Sequence, residues 1–215
     1  MRDRKLAWWL ALVGAMAVLA YSSRLTEGKP PRDSLYQYGV AASGLVLYVI
    51  VLGLVLWIAR GLPREQLGLR RPVSWWRALG LVVALILLVL GVEAVLEPLL
   101  HATREQGLEP PRWEPARATP FALNGVVIVL VAPFVEELTF RGLGFGLLLR
   151  YGAAVAIIVT AAFFAGAHGL IDGFPALFVF GLAVGILRWR TRSVFPGMLF
   201  HACFNGVALA TTFIR

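Results

Sequence analysis

Residues 35–58 read LYQYGVAASGLVLYVIVLGLVLWI and contain no charged side chain. A helix rises 1.5 Å per residue, so this stretch is long enough to cross the ~30 Å hydrocarbon core of a bilayer. Its flanks are polar, because residues 22–34 form a Pro-containing loop and residues 59–77 carry five arginines against one glutamate. The stretch therefore predicts a transmembrane helix.

Similar apolar runs recur along the whole chain. They predict spans near residues 6–21, 35–58, 78–96, 120–149, 153–167, 175–187 and 196–213. Only 15% of the 215 residues are charged, against about 25% in ordinary soluble domains. We therefore expect an all-α fold, a multi-pass transmembrane helical bundle of about seven spans, with eight as the alternative. Residues 1–118 would form N-terminal helices and loops and residues 119–215 a C-terminal helical core, within one integrated membrane domain.

The charges predict how the chain lies in the membrane. Its net charge of +8 comes from short basic clusters between apolar runs, a placement typical of topology signals and contact with anionic lipid, which argues against nucleic acid as a partner. With the N-terminus inside, 13 of the 20 Lys and Arg residues, Arg141 among them, fall at cytoplasmic positions. The positive-inside rule thus predicts a cytoplasmic N-terminus, and the composition suggests a bacterial inner membrane. The first run resembles a signal peptide as well as an anchor helix, and we expect an anchor.

Three short motifs place polar side chains inside the C-terminal apolar runs. They are PFVEELTFR at 133–141, FAGAH at 164–168 and HACFN at 201–205. An ionisable group within a span costs about 2.5–3.5 kcal/mol on insertion scales and by default suggests function. Each motif contains a pair at i, i+4, whose side chains share one helix face.

The first motif contains two carboxylates with different expected partners. Glu137 and Arg141 stand at i, i+4, with the acid in the favourable N-terminal position. Glu136 points about 100° away around the helix and is left for another partner. Counting 1.5 Å per residue from the nearest basic turns puts Glu136, His168 and Asn205 at roughly 20–26 Å depth. The three motifs are therefore predicted to form one site.

Glu-Glu-x-x-x-Arg, Phe-x-x-x-His and His-x-x-x-Asn, in this order on successive helices, resemble the CAAX-protease and bacteriocin-processing (CPBP, Abi) family over residues 120–213. The resemblance implies an intramembrane glutamic peptidase in which residues 119–215 form the catalytic helical core. In that family Glu136 would be the general base, and His168 would help bind and polarise a water molecule. His201 and Asn205 would stabilise the oxyanion. The expected supporting residues are Glu137, Arg141 and Phe164.

The substrate implied is a membrane-embedded or lipidated protein or peptide, cut near its C-terminus or a membrane-proximal segment, without a cofactor. Two alternatives stay open. Glu136, His168 and His201 would suit a zinc peptidase as ligands. A non-catalytic immunity or transport protein would also use intramembrane acids and histidines. Purely structural roles for the polar pairs are a further reading, and Glu93 and Glu97 are interpreted as interfacial.

Overall fold

The computed structural model describes residues 2–28, 30–100, 105 and 112–213. Over these residues it contains helices and no strand, so the expected all-α class is confirmed. The helices are α1 Arg2–Glu27, α2 Tyr38–Ala59, α3 Trp75–Leu100, α4 Pro115–Tyr151, α5 Ala153–Gly166, α6 Phe174–Thr191 and α7 Phe195–Ala210.

Each of the seven predicted runs lies almost entirely within one of these helices. Among the residues described, five helices are long and apolar enough to cross a membrane, namely α1 to α4 and α6. Helix α5 has 14 residues and α7 has 16, so each is shorter than the hydrocarbon core is thick. The chain is thus a helical membrane bundle in which two of the predicted spans are short.

The basic clusters of the sequence gather at one end of the bundle, which we call the basic end: residues 2–5, 60–77, 150–151 and 188–193. Lys5 Nζ donates a hydrogen bond to the carbonyl oxygen of Arg60 (2.7 Å), and Asp3 pairs with Arg150. Ser193 Oγ donates to the carbonyl oxygen of Arg70 (2.6 Å). That this end faces the cytoplasm stays a prediction.

The opposite end has its own ion pairs. Arg24, near the end of α1, lies 3.2 Å from Glu105. The carboxylate of Glu105 accepts hydrogen bonds from the backbone N–H groups of Ile171 and Gly173, which join α5 to α6. Glu105 therefore ties the first helix to the loop that follows α5.

Helix α4 is not a regular α-helix. It widens into π turns at Val127–Val131 and at Leu138–Gly144, and the α-helical segment Ala132–Glu137 lies between them. In a π turn the hydrogen bond spans five residues instead of four, and such turns are frequent at functional sites. The two predicted glutamates stand at the end of the bracketed segment.

Small residues let the other helices approach α4 and each other. Trp9 of α1 donates its indole N–H to the carbonyl oxygen of Thr139 (2.9 Å), and a Cβ at Gly144 would lie only 2.3 Å from the Trp9 ring. A Cβ at Gly181 of α6 would meet the backbone of Ala161 in α5 at 2.9 Å. Close approach at glycine and alanine is a common way for membrane helices to pack.

Candidate active site

Glu136 is buried at the bottom of a cavity between the helices, with 7% of its surface exposed. Its Oε1 accepts a 2.6 Å hydrogen bond from the hydroxyl of Tyr48 in α2. Its Oε2 has no hydrogen-bond partner among the described residues. That oxygen lies 4.0 Å from His168 Nε2 and 3.8 Å from His201 Nε2, distances too long for direct hydrogen bonds.

His168 follows the end of α5, where its ring is held by the backbone. Its Nδ1 lies 2.7 Å from the carbonyl oxygen of Phe164. Because a carbonyl oxygen only accepts, Nδ1 carries the proton, and Nε2 of the neutral ring is an acceptor. The acceptor nitrogen of His168 is therefore the one that faces Glu136.

Glu137 points to the other side of α4 and is fully buried. Its Oε1 lies 3.3 Å from Nη1 of Arg141 and 3.2 Å from Nδ1 of His201. The Arg141 guanidinium is fully buried as well, and its Nη2 donates to the carbonyl oxygen of Gly181 (2.9 Å). The i, i+4 pair expected from the sequence is present, and it joins α4 to α6 and α7.

No spare volume surrounds the Glu137 carboxylate on the α7 side. A Cβ added at Gly197 would lie 3.1 Å from Glu137 Oε2 and 3.0 Å from the side chain of Val184. The two neighbouring acids thus differ sharply, since one carboxylate faces a cavity and the other is enclosed by protein.

Phe164 fills the space between the two histidines, with 1% of its surface exposed. Its ring centroid lies 4.7 Å from that of His168 and 5.7 Å from that of His201. The Arg141 guanidinium stands over the same ring at 4.5 Å, a distance typical of cation–π contacts. Phe164 therefore packs beside His168, as expected, and also separates the Arg141 charge from the cavity.

His201 and Asn205 both line the cavity from α7. Asn205 Nδ2 donates a 2.8 Å hydrogen bond to the carbonyl oxygen of Ile128, in the first π turn of α4. One of its two amide protons is used in this bond, and the other is available to a ligand. The pair therefore shares the face predicted from its spacing, although Asn205 also bonds to backbone that the sequence did not indicate.

The cavity has a volume of about 250 Å³ and takes its walls from α2 to α7. Two polar residues in this lining, Tyr48 and Glu93, were missed by the motif reading. Tyr48 carries the one hydroxyl within residues 44–58, a weak signal that could have been noticed. Glu93 was interpreted as interfacial, but α3 continues to Leu100, so Glu93 lies roughly two turns inside the helix and borders the cavity.

Of the residues expected as zinc ligands, His168 and His201 each face Glu136 Oε2, at 4.0 Å and 3.8 Å. Within ranges 2–28, 30–100 and 112–213 and at residue 105, no three His, Cys, Asp or Glu side chains are placed to hold a metal ion. Zinc ligands bind the metal at about 2.0–2.2 Å, so these three groups would have to move closer together to bind zinc.

A family model of Rce1-like type II CAAX prenyl endopeptidases matches residues 118–207. Residues 118–207, which are less than half of the chain, are similar to this family, and we call them the Rce1-like region. The Rce1-like region runs from the start of α4 into α7 and contains all three motifs, so the resemblance to the CAAX-protease and bacteriocin-processing family is confirmed. With the apolar helices, it supports an integral membrane protein that acts as an intramembrane protease. No curated protein and no solved structure matches the chain.

Proposed function

We propose that this protein is a glutamic-type intramembrane endopeptidase in which Glu136 activates a water molecule. One observation carries the proposal: a buried carboxylate oxygen without a hydrogen-bond partner among the described residues faces two imidazole nitrogens. Such an arrangement is costly in an apolar bundle unless a ligand or substrate completes it. The Rce1-like match supports the same class of reaction.

The two hydrogen-bond acceptors at the site, on Glu136 and His168, are the basis of the proposed water activation. Glu136 Oε2 and His168 Nε2 are both acceptors, and a water molecule has two protons to donate. A water bound between them would direct a lone pair of its oxygen towards the cavity. When that oxygen attacks the scissile carbonyl carbon, Glu136 accepts the proton and acts as the general base.

The oxyanion that forms in this attack needs hydrogen-bond donors, and the candidates are His201 and Asn205 of α7. His201 donates through Nε2 when its ring carries both protons, with Glu137 Oε1 accepting the proton on Nδ1. The free Nδ2 proton of Asn205 is the second donor. Collapse of the tetrahedral intermediate breaks the C–N bond, and the leaving amine takes the proton held by Glu136. Preorganised donors of this kind often supply the largest part of the rate enhancement.

The cavity chemistry supports a hydrophobic substrate. Apolar side chains such as Leu177, Phe180 and Phe204 line it beside the polar groups. We propose a transmembrane or lipidated protein or peptide, cut near its C-terminus or a membrane-proximal segment, in a bacterial inner membrane with the N-terminus of the enzyme cytoplasmic. We propose that no cofactor takes part.

The test compares purified wild type with Glu136→Gln and with the control Glu65→Gln, in which an exposed acid of the basic end is neutralised. Each protein is incubated with a panel of transmembrane and lipidated peptides, with and without a zinc chelator, and the products are read by mass spectrometry. We expect cleavage by wild type and Glu65→Gln, insensitive to chelator, and none by Glu136→Gln.

The other results separate the alternatives. Cleavage lost with chelator and restored by zinc would make Glu136, His168 and His201 metal ligands. Wild-type turnover by Glu136→Gln would refute the assigned base. If no peptide is cut, crosslinking of native partners to the wild type would test the non-catalytic immunity or transport role.

A further inference from the structure

We infer that the basic end of the bundle contains a binding site for the headgroup of an anionic phospholipid, between α1 and α2. A cavity of about 430 Å³ opens there, which we call the α1–α2 cavity. Its lining residues are Arg4, Lys5, Trp8, Trp57, Ile58 and Arg60. This site lies outside the Rce1-like region and does not depend on the proposed peptidase activity.

No described carboxylate neutralises the arginines of the α1–α2 cavity. Lys5 Nζ is occupied by the carbonyl oxygens of Ile58 and Arg60, which it caps at the end of α2. Arg4 and Arg60 form no ion pair with any described carboxylate. The nearest acid in sequence, Asp3, is paired with Arg150. Two guanidinium groups therefore remain for an anion, and guanidinium is the side chain best suited to bind phosphate oxygens through paired N–H donors.

The aromatic wall indicates that this anion is part of a lipid. Trp8 and Trp57 are each 49% exposed and meet edge to face with ring centroids 5.6 Å apart. Tryptophan at this position is typical of the interface between headgroups and acyl chains. A phosphate that also carries a glycerol and acyl chains contacts both the cations and the indole rings, whereas a free phosphate contacts only the cations. Basic pockets between transmembrane helices are known to suit anionic headgroups.

Binding there would also support the candidate active site through α1. Trp9, the neighbour of Trp8 in sequence, donates to the carbonyl oxygen of Thr139 and packs on Gly144. A lipid that bridges Arg4 and Arg60 holds the start of α1 against the end of α2, and so favours the position of Trp9 against the π turn that follows Glu137.

The experiment measures lipids retained by the purified full chain in a zwitterionic detergent, using native mass spectrometry. Phosphatidylglycerol and phosphatidylcholine with the same acyl chains are offered in equal amounts. The test variant is Arg4→Gln/Arg60→Gln. The matched control is Arg64→Gln/Arg77→Gln, which removes two exposed arginines of the same end that do not line the cavity.

We expect wild type and control to retain phosphatidylglycerol preferentially, and the test variant to lose about 25-fold in this preference, since each basic residue near an anionic surface contributes roughly fivefold. The single variants Arg4→Gln and Arg60→Gln, each losing roughly fivefold, replace the double variant if it does not fold. Equal retention of the two lipids by wild type, or equal loss in the control, overturns the site. Displacement by inorganic phosphate at the concentration of the lipid overturns its assignment to lipid.

Discussion

The two sides of α4 at its pair of glutamates differ in what surrounds each carboxylate, although each carboxylate has one oxygen without a hydrogen-bond partner among the described residues. On the enclosed side, Glu137 is held by Arg141 and His201 with no exposed surface. On the open side, Glu136 keeps one oxygen on Tyr48 and turns the other towards a cavity. Adjacent residues of one helix thus lie in different surroundings because they are about 100° apart around the helix, although His201 contacts Glu137 and also faces Glu136. The difference teaches that a buried acid is a candidate for chemistry when its free oxygen faces a cavity that a substrate can enter.

Substitution of Glu136, the acid that faces the cavity, is expected to have the largest effect on activity. Glu136→Gln keeps the shape of the side chain and removes the base, so we expect turnover to fall about a thousandfold, within the range for general-base removal. We expect its thermal unfolding temperature in detergent to change little, because a neutral amide suits the apolar surroundings. Peptide cleavage and thermal unfolding, measured on one preparation, test both parts. A large loss of stability would mean that Glu136 belongs to the enclosed network after all.

Substitution on the enclosed side is expected to lower the stability of the protein. Arg141→Met leaves the Glu137 carboxylate buried without its main partner, and breaking such a pair costs about 3–5 kcal/mol. We expect low yield and a lower unfolding temperature. The control Arg64→Met, at an exposed position of the basic end, should behave as wild type.

A double variant tests whether the unpaired charge of Glu137 is what destabilises Arg141→Met. Glu137→Gln/Arg141→Met removes both charges, so it should be more stable than Arg141→Met alone. If the double variant is the less stable of the two, the uncompensated charge is not the cause of the loss.

The ion pair of Glu105 with Arg24 involves neither glutamate of α4, and it shows what a buried carboxylate with several partners contributes to stability. Burial by itself raises the pKa of the Glu105 carboxyl, but the N–H groups of Ile171 and Gly173 and the guanidinium of Arg24 hold that pKa below its usual value. A carboxyl whose pKa is lowered by folding stabilises the folded state above its unfolded pKa of about 4.3, and this contribution is lost as the pH falls through the folded pKa.

We therefore expect Glu105→Gln to lower the free energy of unfolding by about 2 kcal/mol at pH 6–7. The difference from wild type should shrink below about pH 4. Peptidase turnover at neutral pH should change little, since Glu105 lies at the opposite end from the basic clusters and outside the cavity. Unfolding curves across pH check the first part, and a pH-independent difference would contradict it.

Tyr48 tests whether the open side depends on a residue outside the Rce1-like region. Tyr48→Phe removes the donor to Glu136 Oε1 and leaves the ring, so the carboxylate gains freedom to turn away from His168. We expect kcat to fall about tenfold with KM nearly unchanged, as for the loss of a charge-assisted hydrogen bond. The control Tyr38→Phe changes an exposed hydroxyl of the same helix. An unchanged pH–rate profile and kcat would show that Tyr48 does not position Glu136.

The smallest effect is expected from Glu93, an acidic residue that lines the cavity wall. Substrates with Lys near the cut should be favoured over matched substrates with Gln there, and Glu93→Gln should reduce this preference by roughly fivefold, the size of a partly screened charge pair. Paired peptides that differ at one position measure it. The same preference in wild type and variant would remove Glu93 from substrate recognition.

Local periodicity was enough to predict much of this structure. The seven helices follow from apolar runs, and the Glu137–Arg141 pair follows from an i, i+4 spacing that survives a π turn. The meeting of Glu136 and His168 with helix α7 agrees with the similar depths predicted for Glu136, His168 and Asn205. Helix ends were less accurate, since α1 continues to Glu27 and α3 to Leu100.

The parts that could not be predicted depend on contacts between distant segments. Tyr48 reaches Glu136 across 88 positions of sequence, and nothing near Tyr48 encodes that partner. The same holds for Asn205 and the carbonyl oxygen of Ile128, which is 77 positions away. The π turns of α4, Val127–Val131 and Leu138–Gly144, likewise have no signature in apolar periodicity.

The two π turns of α4 limit how this helix can be moved into another protein. Each accommodates about one residue more than a regular turn, which corresponds to roughly 100° of rotation. A chimera with the same sequence on an ideal α-helix would direct the side chains after Gly144 towards the wrong neighbours. Recombination should therefore exchange Val127–Gly144 as one block together with the helices that surround it.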